Sequence, residues 1–422
     1  MKKNKPYGAA AALLAGALLG GLMTAPGAHA VDFRVKGVWI AMLEYGDGGS
    51  FVCKDREGKN VQGWGRWGED RFEAKNRVRL QLDAAVSDAL SGSVYFEIGG
   101  ATWGRARSGG ALGADGQIVK IKHSYLDWNL PGTGLKARMG LQRIFLPDFV
   151  TDASQVFDAD VAGISVAAPL TEHLSLTAFW AGLTGEITAA RPLRLAWSAA
   201  WGSVATGDAA LDRHGWYASA LAEYALDRGT PGIYGWYSSG DDGDPANGSE
   251  RMPTIEANNE GTNSVAGFGT LGTWTLGRDT LLGSTLVGTW GLGLRVCDIS
   301  FFEDLSHTIH LNYYQGTNSA GMARHIKGAG GPDIVRPNGT DFNTANYYGL
   351  YLTDRDRAME VGIMSTYTLH ENLKLLVEAN YIALWLDNSR DVWGGYHAGG
   401  RRYAANSTED AWNMNVSFIY KF

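Results

Sequence analysis

The stretch from Trp412 to Phe422 alternates without a break. Trp412, Met414, Val416, Phe418, Tyr420 and Phe422 fall on one face, and Asn413, Asn415, Ser417, Ile419 and Lys421 on the other. Successive strand side chains point to opposite faces, so this segment shows an aromatic-rich face to one medium and a mostly polar face to another. A strand that offers one face to hydrocarbon and the other to water, with neighbours on both sides, belongs in a closed membrane-spanning barrel. The remaining chain is expected to repeat the pattern.

It does so repeatedly. From Val31 to Tyr45, Phe33, Val35, Trp39, Ala41 and Leu43 alternate with Asp32, Arg34, Lys36 and Glu44. From Arg71 to Val86, Phe72, Ala74, Val78, Leu80 and Leu82 alternate with Arg71, Glu73, Lys75, Arg77, Arg79, Gln81 and Asp83, which no 3.6-residue period accommodates. Similar runs recur through the chain, one of them at Leu174 to Leu183, joined by connections that are alternately short and long. With both chain ends on one side the strand number is even, and the runs amount to about 14. Arg191 to Ser203 fits a strand or a helix face equally, and a pair of strands hidden in the long loops would bring the number to 16. Tyr45, Trp180, Trp216, Tyr224, Trp385, Trp412, Tyr420 and Phe422 sit near strand ends on the apolar face, as interfacial girdles do.

Lys2, Lys3 and Lys5, the apolar run Ala9 to Met23 and the small-x-small triplet Ala28-His29-Ala30 read as a secretory signal peptide over residues 1–30. Its removal takes away three lysines and no acids, moving the formal charge from −7 to −10, which argues against a nucleic-acid partner. Two cysteines, Cys53 and Cys297, are too few for a disulfide scaffold and are not expected to pair. A barrel with a polar lumen is either plugged or water-filled, and no separate plug domain is evident, so an aqueous bore is expected.

The inward positions of the early strands are basic: Arg34, Lys36, Lys75, Arg77, Arg79, Lys120, Lys122, Lys136 and Arg138. Neighbouring strands bring them into one wall. The third long loop, about residues 146–160, carries Asp148, Asp152, Asp158 and Asp160, and if it folds inward these carboxylates face the basic wall. The resulting transverse field and constriction select by charge and size.

The run Leu146-Pro147-Asp148-Phe149-Val150-Thr151-Asp152 is similar to the constriction-loop motif of general trimeric porins. A resemblance covering nearly the whole mature chain, to the outer-membrane homotrimeric porins of sulfate-reducing bacteria, is carried by several segments. They are Tyr125-Leu126-Asp127-Trp128 with Pro131-Gly132-Thr133, Gly248-Ser249-Glu250-Arg251-Met252-Pro253-Thr254-Ile255 and Phe302-Glu303-Asp304-Leu305-Ser306-His307-Thr308. Two more are Leu350-Tyr351-Leu352-Thr353 and Asn380-Tyr381-Ile382-Ala383-Leu384-Trp385-Leu386-Asp387. The resemblance implies a homotrimeric diffusion porin of the bacterial outer membrane, in contact with lipid and passing small hydrophilic solutes and ions. Trimeric channels favour 16 strands, with 14 as the alternative. Asn76, on the apolar face, needs a partner that lipid does not supply and a subunit interface does.

Other readings compete locally. Asp242, Asp244, Asn247 and Glu250 in a Gly-containing loop offer oxygen ligands to calcium, although the spacing is not that of an EF-hand and a solvated acidic loop is the other reading. Glu172, His173 and Ser175 could suggest a barrel hydrolase, yet they lie at or beside a turn without a nucleophile elbow; the alternative from another class, a barrel enzyme of phospholipase type, would need a Ser-His pair on the outward face, and none is apparent. Trp64, Trp67 and Trp103 in loops keep open a substrate-specific channel. The expectation is an all-β transmembrane antiparallel barrel that conducts, catalyses nothing and prefers anions modestly.

Overall fold

The computed structural model describes residues 31–52, 71–102, 119–146, 148–150, 154–167, 174–179, 182–187, 191–244, 246–254, 286–322, 352–389, 391–392 and 407–422. Sixteen strands make up nearly all of it. The first half comprises β1 (Asp32–Val52), β2 (Arg71–Ser87), β3 (Leu90–Thr102), β4 (Lys120–Asn129), β5 (Lys136–Phe145), β6 (Asp158–Ala167), β7 (Leu174–Phe179) and β8 (Gly182–Ile187). The second comprises β9 (Leu193–Val204), β10 (Arg213–Tyr224), β11 (Thr230–Ser238), β12 (Thr289–Phe302), β13 (Leu305–Gly316), β14 (Arg357–His370), β15 (Leu373–Trp385) and β16 (Ser407–Lys421). The leader-like residues 1–30 lie outside the described residues.

Strands consecutive in the chain pair antiparallel, and β1 pairs with β16. The single sheet therefore runs from β6 back to β1 and onward from β16 down to β7. Its two edges, β6 and β7, are themselves consecutive, joined by residues 168–173, which lie outside the described residues. This is the order of an antiparallel β-barrel with its last seam at that junction. The C-terminal alternating segment is β16, held between β1 and β15 with Trp39 opposite Tyr420 and Leu43 opposite Val416. Gly37 N–H donates to Phe422 O at 2.7 Å and Phe422 N–H returns to Gly37 O at 3.1 Å, so the end of the chain is pinned to the first strand.

The two faces differ as the alternation requires. Outward residues such as Leu292 (57% exposed), Val361 and Ile363 form an apolar band, while their inward neighbours Asn312, Glu360 and Asn415 are buried. A band of this size would be unfavourable in water at about 25 cal/mol per Å² and is favourable in hydrocarbon. Tyr45, Trp216 and Trp385 are outward near one rim, and Tyr224, Tyr420 and Phe422 near the other. Trp412 packs edge-on against Tyr45, with ring centroids 5.2 Å apart. Trp180 lies outside the described residues.

The strand number is 16 rather than 14, and the difference lies where the alternation is weakest. The single strand expected over 174–183 is two, β7 and the start of β8, separated by residues 180–181, which lie outside the described residues, and the expected long loop after it holds the rest of β8 and all of β9. Over the six residues of β8, the phase opposite Trp197 is interrupted by Gly185, while Gly182 falls on the other phase, opposite Ala200. A Cβ at Gly185 would lie 2.2 Å from the Trp197 ring, so the strand reads as loop because it yields its outer surface to an indole on β9. In β9 itself the strand period wins. Arg194, Ala196, Ser198 and Ala200 face inward, and Trp201 is outward and exposed.

The interior is not a uniform aqueous bore. Inner-face residues Tyr217, Leu221, Tyr234, Trp236, Tyr314, Ala358, Ile382 and Ala411 form one apolar cluster with loop residues Leu146, Val150, Val156, Met252, Leu286, Met322, Leu352 and Val392. Polar inner residues on that side pair sideways: the Tyr234 hydroxyl donates to Asn312 Oδ1, and Asn312 Nδ2 donates to Glu360 Oε2 at 3.2 Å. Gly293 between them makes this possible, since a Cβ there would meet the Tyr234 ring at 2.2 Å.

Ile363, at the middle of β14, tests which medium meets the outer face. Ile363→Arg is expected to destabilise the barrel by about 2–4 kcal/mol in urea titrations from lipid vesicles. A cost near zero would mean that this face is wet.

Candidate constriction and lumen wall

Between β5 and β6, the described residues 146, 148–150 and 154–157 reach across the barrel interior. Their neck closes on itself: Leu146 N–H donates to Phe157 O at 2.9 Å, and the buried Ser154 hydroxyl lies 2.8 and 2.6 Å from the Leu146 and Phe157 carbonyls. Their tip meets the far wall. Arg295 of β12 donates to the carbonyls of Phe149 (3.3 Å) and Val150 (3.2 Å), and Gln155 Oε1 accepts from Leu286 N–H at 2.9 Å. Arg295 is buried and needs a counter-charge. Glu223 of β10 supplies it at 2.6 Å and also pairs with Arg194 of β9 at 2.6 Å, which in turn pairs with Glu186 of β8 at 2.6 Å. This chain of alternating charges along the inner wall is the seat on which the loop rests, because removing one partner of a buried pair leaves the other uncompensated.

Asp148 is a second anchor. It is buried, and it accepts hydrogen bonds from the Tyr217 hydroxyl and from Ser219 Oγ (2.7 Å), both on β10, and from Val150 N–H at 3.2 Å. Desolvation holds its carboxyl above the usual carboxylate range, and the hydrogen bonds only partly oppose that rise. The expectation that Asp148 faces the basic wall is corrected. It lies against the opposite wall because two hydroxyls there satisfy it.

Of the other loop acids, Asp160 does meet a residue of the expected basic wall, Lys122, although from a strand and not from a loop. Asp158 and Asp160 lie on β6, where the alternation puts them on the side of Ile164 and Val166, away from Gln142 and Ser165. Asp158 is bidentate with Arg143 (2.6 and 2.7 Å), and Asp160 meets Lys122 at 2.9 Å and His123 at 2.8 Å. A register shift at Tyr95/Phe96 leaves Lys122 in a bulge of β4, which sends it to Asp160 rather than into the wall's row. Asp152 lies outside the described residues.

The basic residues do gather on β1 to β5. Ladder partners place Lys75, Arg77 and Arg79 opposite Met42, Ile40 and Val38, and Lys120 opposite Glu97. They are accompanied by inward acids. Lys36 pairs with Asp83 (3.1 Å), Arg79 with Glu97 (2.8 Å), Lys136 and Arg138 with Asp127 (2.8 and 2.6 Å), and Lys75 with Glu73 (3.8 Å). Arg34 pairs with the exposed Asp32 at 2.7 Å. The wall is thus a mixed-charge surface. It is also the wetter side of the barrel: Lys36, Arg79, Lys136 and Arg138 keep partial exposure, whereas the inner residues of β13 to β16 are largely closed.

Of the calcium candidates, Asp242 and Glu250 converge, whereas Asp244 accepts from Ala246 N–H (2.9 Å) and Asn247 donates to Asp242 (3.0 Å). Cys297 is in no disulfide among the described residues, and Cys53, Trp64, Trp67, Trp103, Glu172 and His173 lie outside them. Ser175 lies on β7, opposite Glu186. The residues that hold the loop, Tyr217, Ser219, Arg194, Glu223 and Arg295, are absent from the sequence-based set. Their shared signal was inward-facing polarity on β9, β10 and β12, which alternation alone marks only as lumen.

Fold and site together define a sixteen-stranded membrane barrel with a loop anchored across its lumen. No protein-family model matches the chain, and no curated protein matches it. Among solved structures it is similar to an anion-selective porin from Comamonas acidovorans, with 12% identity over 93% of this chain and 100% of that one and a TM-score of 0.48. It is also similar to the outer-membrane channel DcaP of Acinetobacter baumannii, with 12% identity, 93% and 97% coverage and a TM-score of 0.43. OccK2 of Pseudomonas aeruginosa shows 12% identity, 93% and 98% coverage and a TM-score of 0.45.

The Asp148 anchor has a pH signature. Its docked carboxyl takes up a proton at higher pH than a free one, so docking strengthens as pH falls through the interval just above the ordinary value and weakens as the group ionises. Chymotryptic cleavage within 146–157 is expected to be slower at pH 5 than at pH 8 in the wild type. Asp148→Asn should flatten that dependence, and Tyr217→Phe, which strands a buried acceptor at about 1–3 kcal/mol, should speed cleavage at both pH values. Faster wild-type cleavage at pH 5 would reverse the assigned sign.

Proposed function

We propose that this protein is a porin of the bacterial outer membrane: a passive diffusion channel for small hydrophilic solutes and ions, with modest anion preference and no catalytic role. The observation that carries this reading is the asymmetry of the barrel interior. A loop tied to β10 and β12 closes one side, and the half-exposed charged wall of β1 to β5 remains as the route for water and solutes. A mixed-charge path with an excess of Lys and Arg favours anions, but the ion pairs within it moderate the bias. Each partly exposed pair contributes at most about 1 kcal/mol and is screened by salt.

The chain is proposed to be exported on residues 1–30 and to assemble as a homotrimer. Asn76, half-buried on the outward side of β2 with Ala41 and Ala101 as ladder partners, supports a polar contact there rather than lipid. A second reading, a channel that selects planar anions, draws on one feature of the same wall. Tyr95 stacks on His123 (5.1 Å between centroids), and the Arg138 guanidinium lies 3.8 Å over the Tyr125 ring. Aromatic faces beside a cation hold flat anionic solutes better than aliphatic ones.

Reversal potentials in a salt gradient separate these outcomes. The wild type is expected to show weak anion preference, and replacing Arg77 and Arg79 by glutamate should carry it toward cations. Among solutes of equal charge, liposome swelling should depend on size alone; faster entry of an aromatic than of an aliphatic carboxylate of equal size would favour the second reading. Absence of conductance in folded, reconstituted protein would exclude both.

A further inference from the structure

The loop that follows β11 gathers three acids that conduction does not use. Asp241, Asp242 and Glu250 each place a carboxylate oxygen within 4.8 Å of the others. Asp241 is only 2% exposed. Its Oδ1 accepts from Gly243 N–H at 3.1 Å, whereas its Oδ2 is buried and has no hydrogen-bond partner among the described residues. A buried carboxylate oxygen without a donor is a costly arrangement unless a cation takes up its charge. Arg213 interacts electrostatically with Asp241.

The surrounding backbone is built to hold these groups. Asp242 N–H donates to Glu250 Oε2 at 3.1 Å, bringing the two ends of the loop together. Asp241 is fastened to the next outer loop on both of its backbone groups: its N–H donates to Asn318 Oδ1 (3.1 Å) and its carbonyl accepts from Ser319 N–H (2.7 Å). Oxygens sharing one calcium ion at about 2.3–2.6 Å lie no more than about 5 Å apart, which the cluster satisfies. The donor set is all oxygen, which suits hard cations and not thiophilic or imidazole-seeking ones.

We propose that Asp241, Asp242 and Glu250 bind a divalent hard cation of the calcium class, which clamps the loop at 239–254 to the loop at 317–322 on the outer rim. The irregular spacing of the three acids, two of them adjacent in the chain, suits the flexible coordination of calcium better than the strict octahedron of magnesium. Asp244 lies outside the cluster, and it and Asn247 instead fix Asp242, whose Oδ1 accepts from Asp244 N–H at 2.8 Å and whose Oδ2 accepts from Asn247 Nδ2 at 3.0 Å.

The test is calorimetric titration of the full chain, refolded in detergent and stripped with a chelator, against calcium chloride alone and magnesium chloride alone. Calcium is expected to bind more tightly than magnesium. Asp241→Asn and Glu250→Gln should each weaken calcium binding at least tenfold, and Asp244→Asn should leave it within twofold. Heat-modifiable migration on gels establishes that each variant is folded, and Glu250, which is only partly buried, serves if Asp241→Asn fails that check. No calcium binding by the wild type, undiminished binding by folded Glu250→Gln, or an equal loss in Asp244→Asn would overturn the assignment.

Discussion

A backbone N–H without an acceptor costs several kcal/mol in hydrocarbon, and this penalty organises the whole molecule. Every strand must find two neighbours, so the ladder of β1 with β16 matters as much as any ladder between consecutive strands. Its register runs from Val38 opposite Lys421 to Val52 opposite Ser407, and the reciprocal Gly37–Phe422 bonds complete it. Once the ladder satisfies the backbone, the outer face is free to be apolar. The inner face is then left to carry whatever the lumen requires.

That lumen is divided by how its polar groups are satisfied. On the side of β10 to β14 several bond to one another or to the inserted loop, as with Tyr217, Asn312 and Arg295, while the His310 ring and the Tyr314 hydroxyl are buried without a hydrogen-bond partner among the described residues. On the side of β1 to β5 they meet as salt bridges that keep solvent contact, and their charges can exchange a protein partner for a passing ion. A fully buried pair could not do so without a large desolvation change. Where the acids sit therefore matters more for permeation than how many there are.

Much of the fold was legible because period-two alternation is a direct imprint of a two-faced wall. Strands such as β2, β13 and β16 carry it plainly. It faded at β8, where Gly185 interrupts the outer phase and Trp197 covers the gap, and this cost the reading a strand pair. The basic wall was legible from register, since Lys75, Arg77 and Arg79 share a phase. Its acids Asp83, Glu97 and Asp127 share that phase too and were visible in the same runs. Asp148 was misplaced for a different reason. Alternation tells on which face a strand residue lies, but it does not tell which wall a loop will choose, and that choice depended on the Tyr217 and Ser219 hydroxyls of a strand about seventy residues away.

The inserted segment is fixed at its neck by Leu146, Ser154 and Phe157 and at its tip by Arg295 and Asp148, so it spans the interior as a strut. A strut joined to opposite walls couples girth to aperture. If the barrel is squeezed or its cross-section made oval, by lateral pressure or by crowding in the membrane plane, the tip must move with β10 and β12. The free gap beside β1 to β5 changes in step. Permeability then becomes partly a mechanical property of the wall.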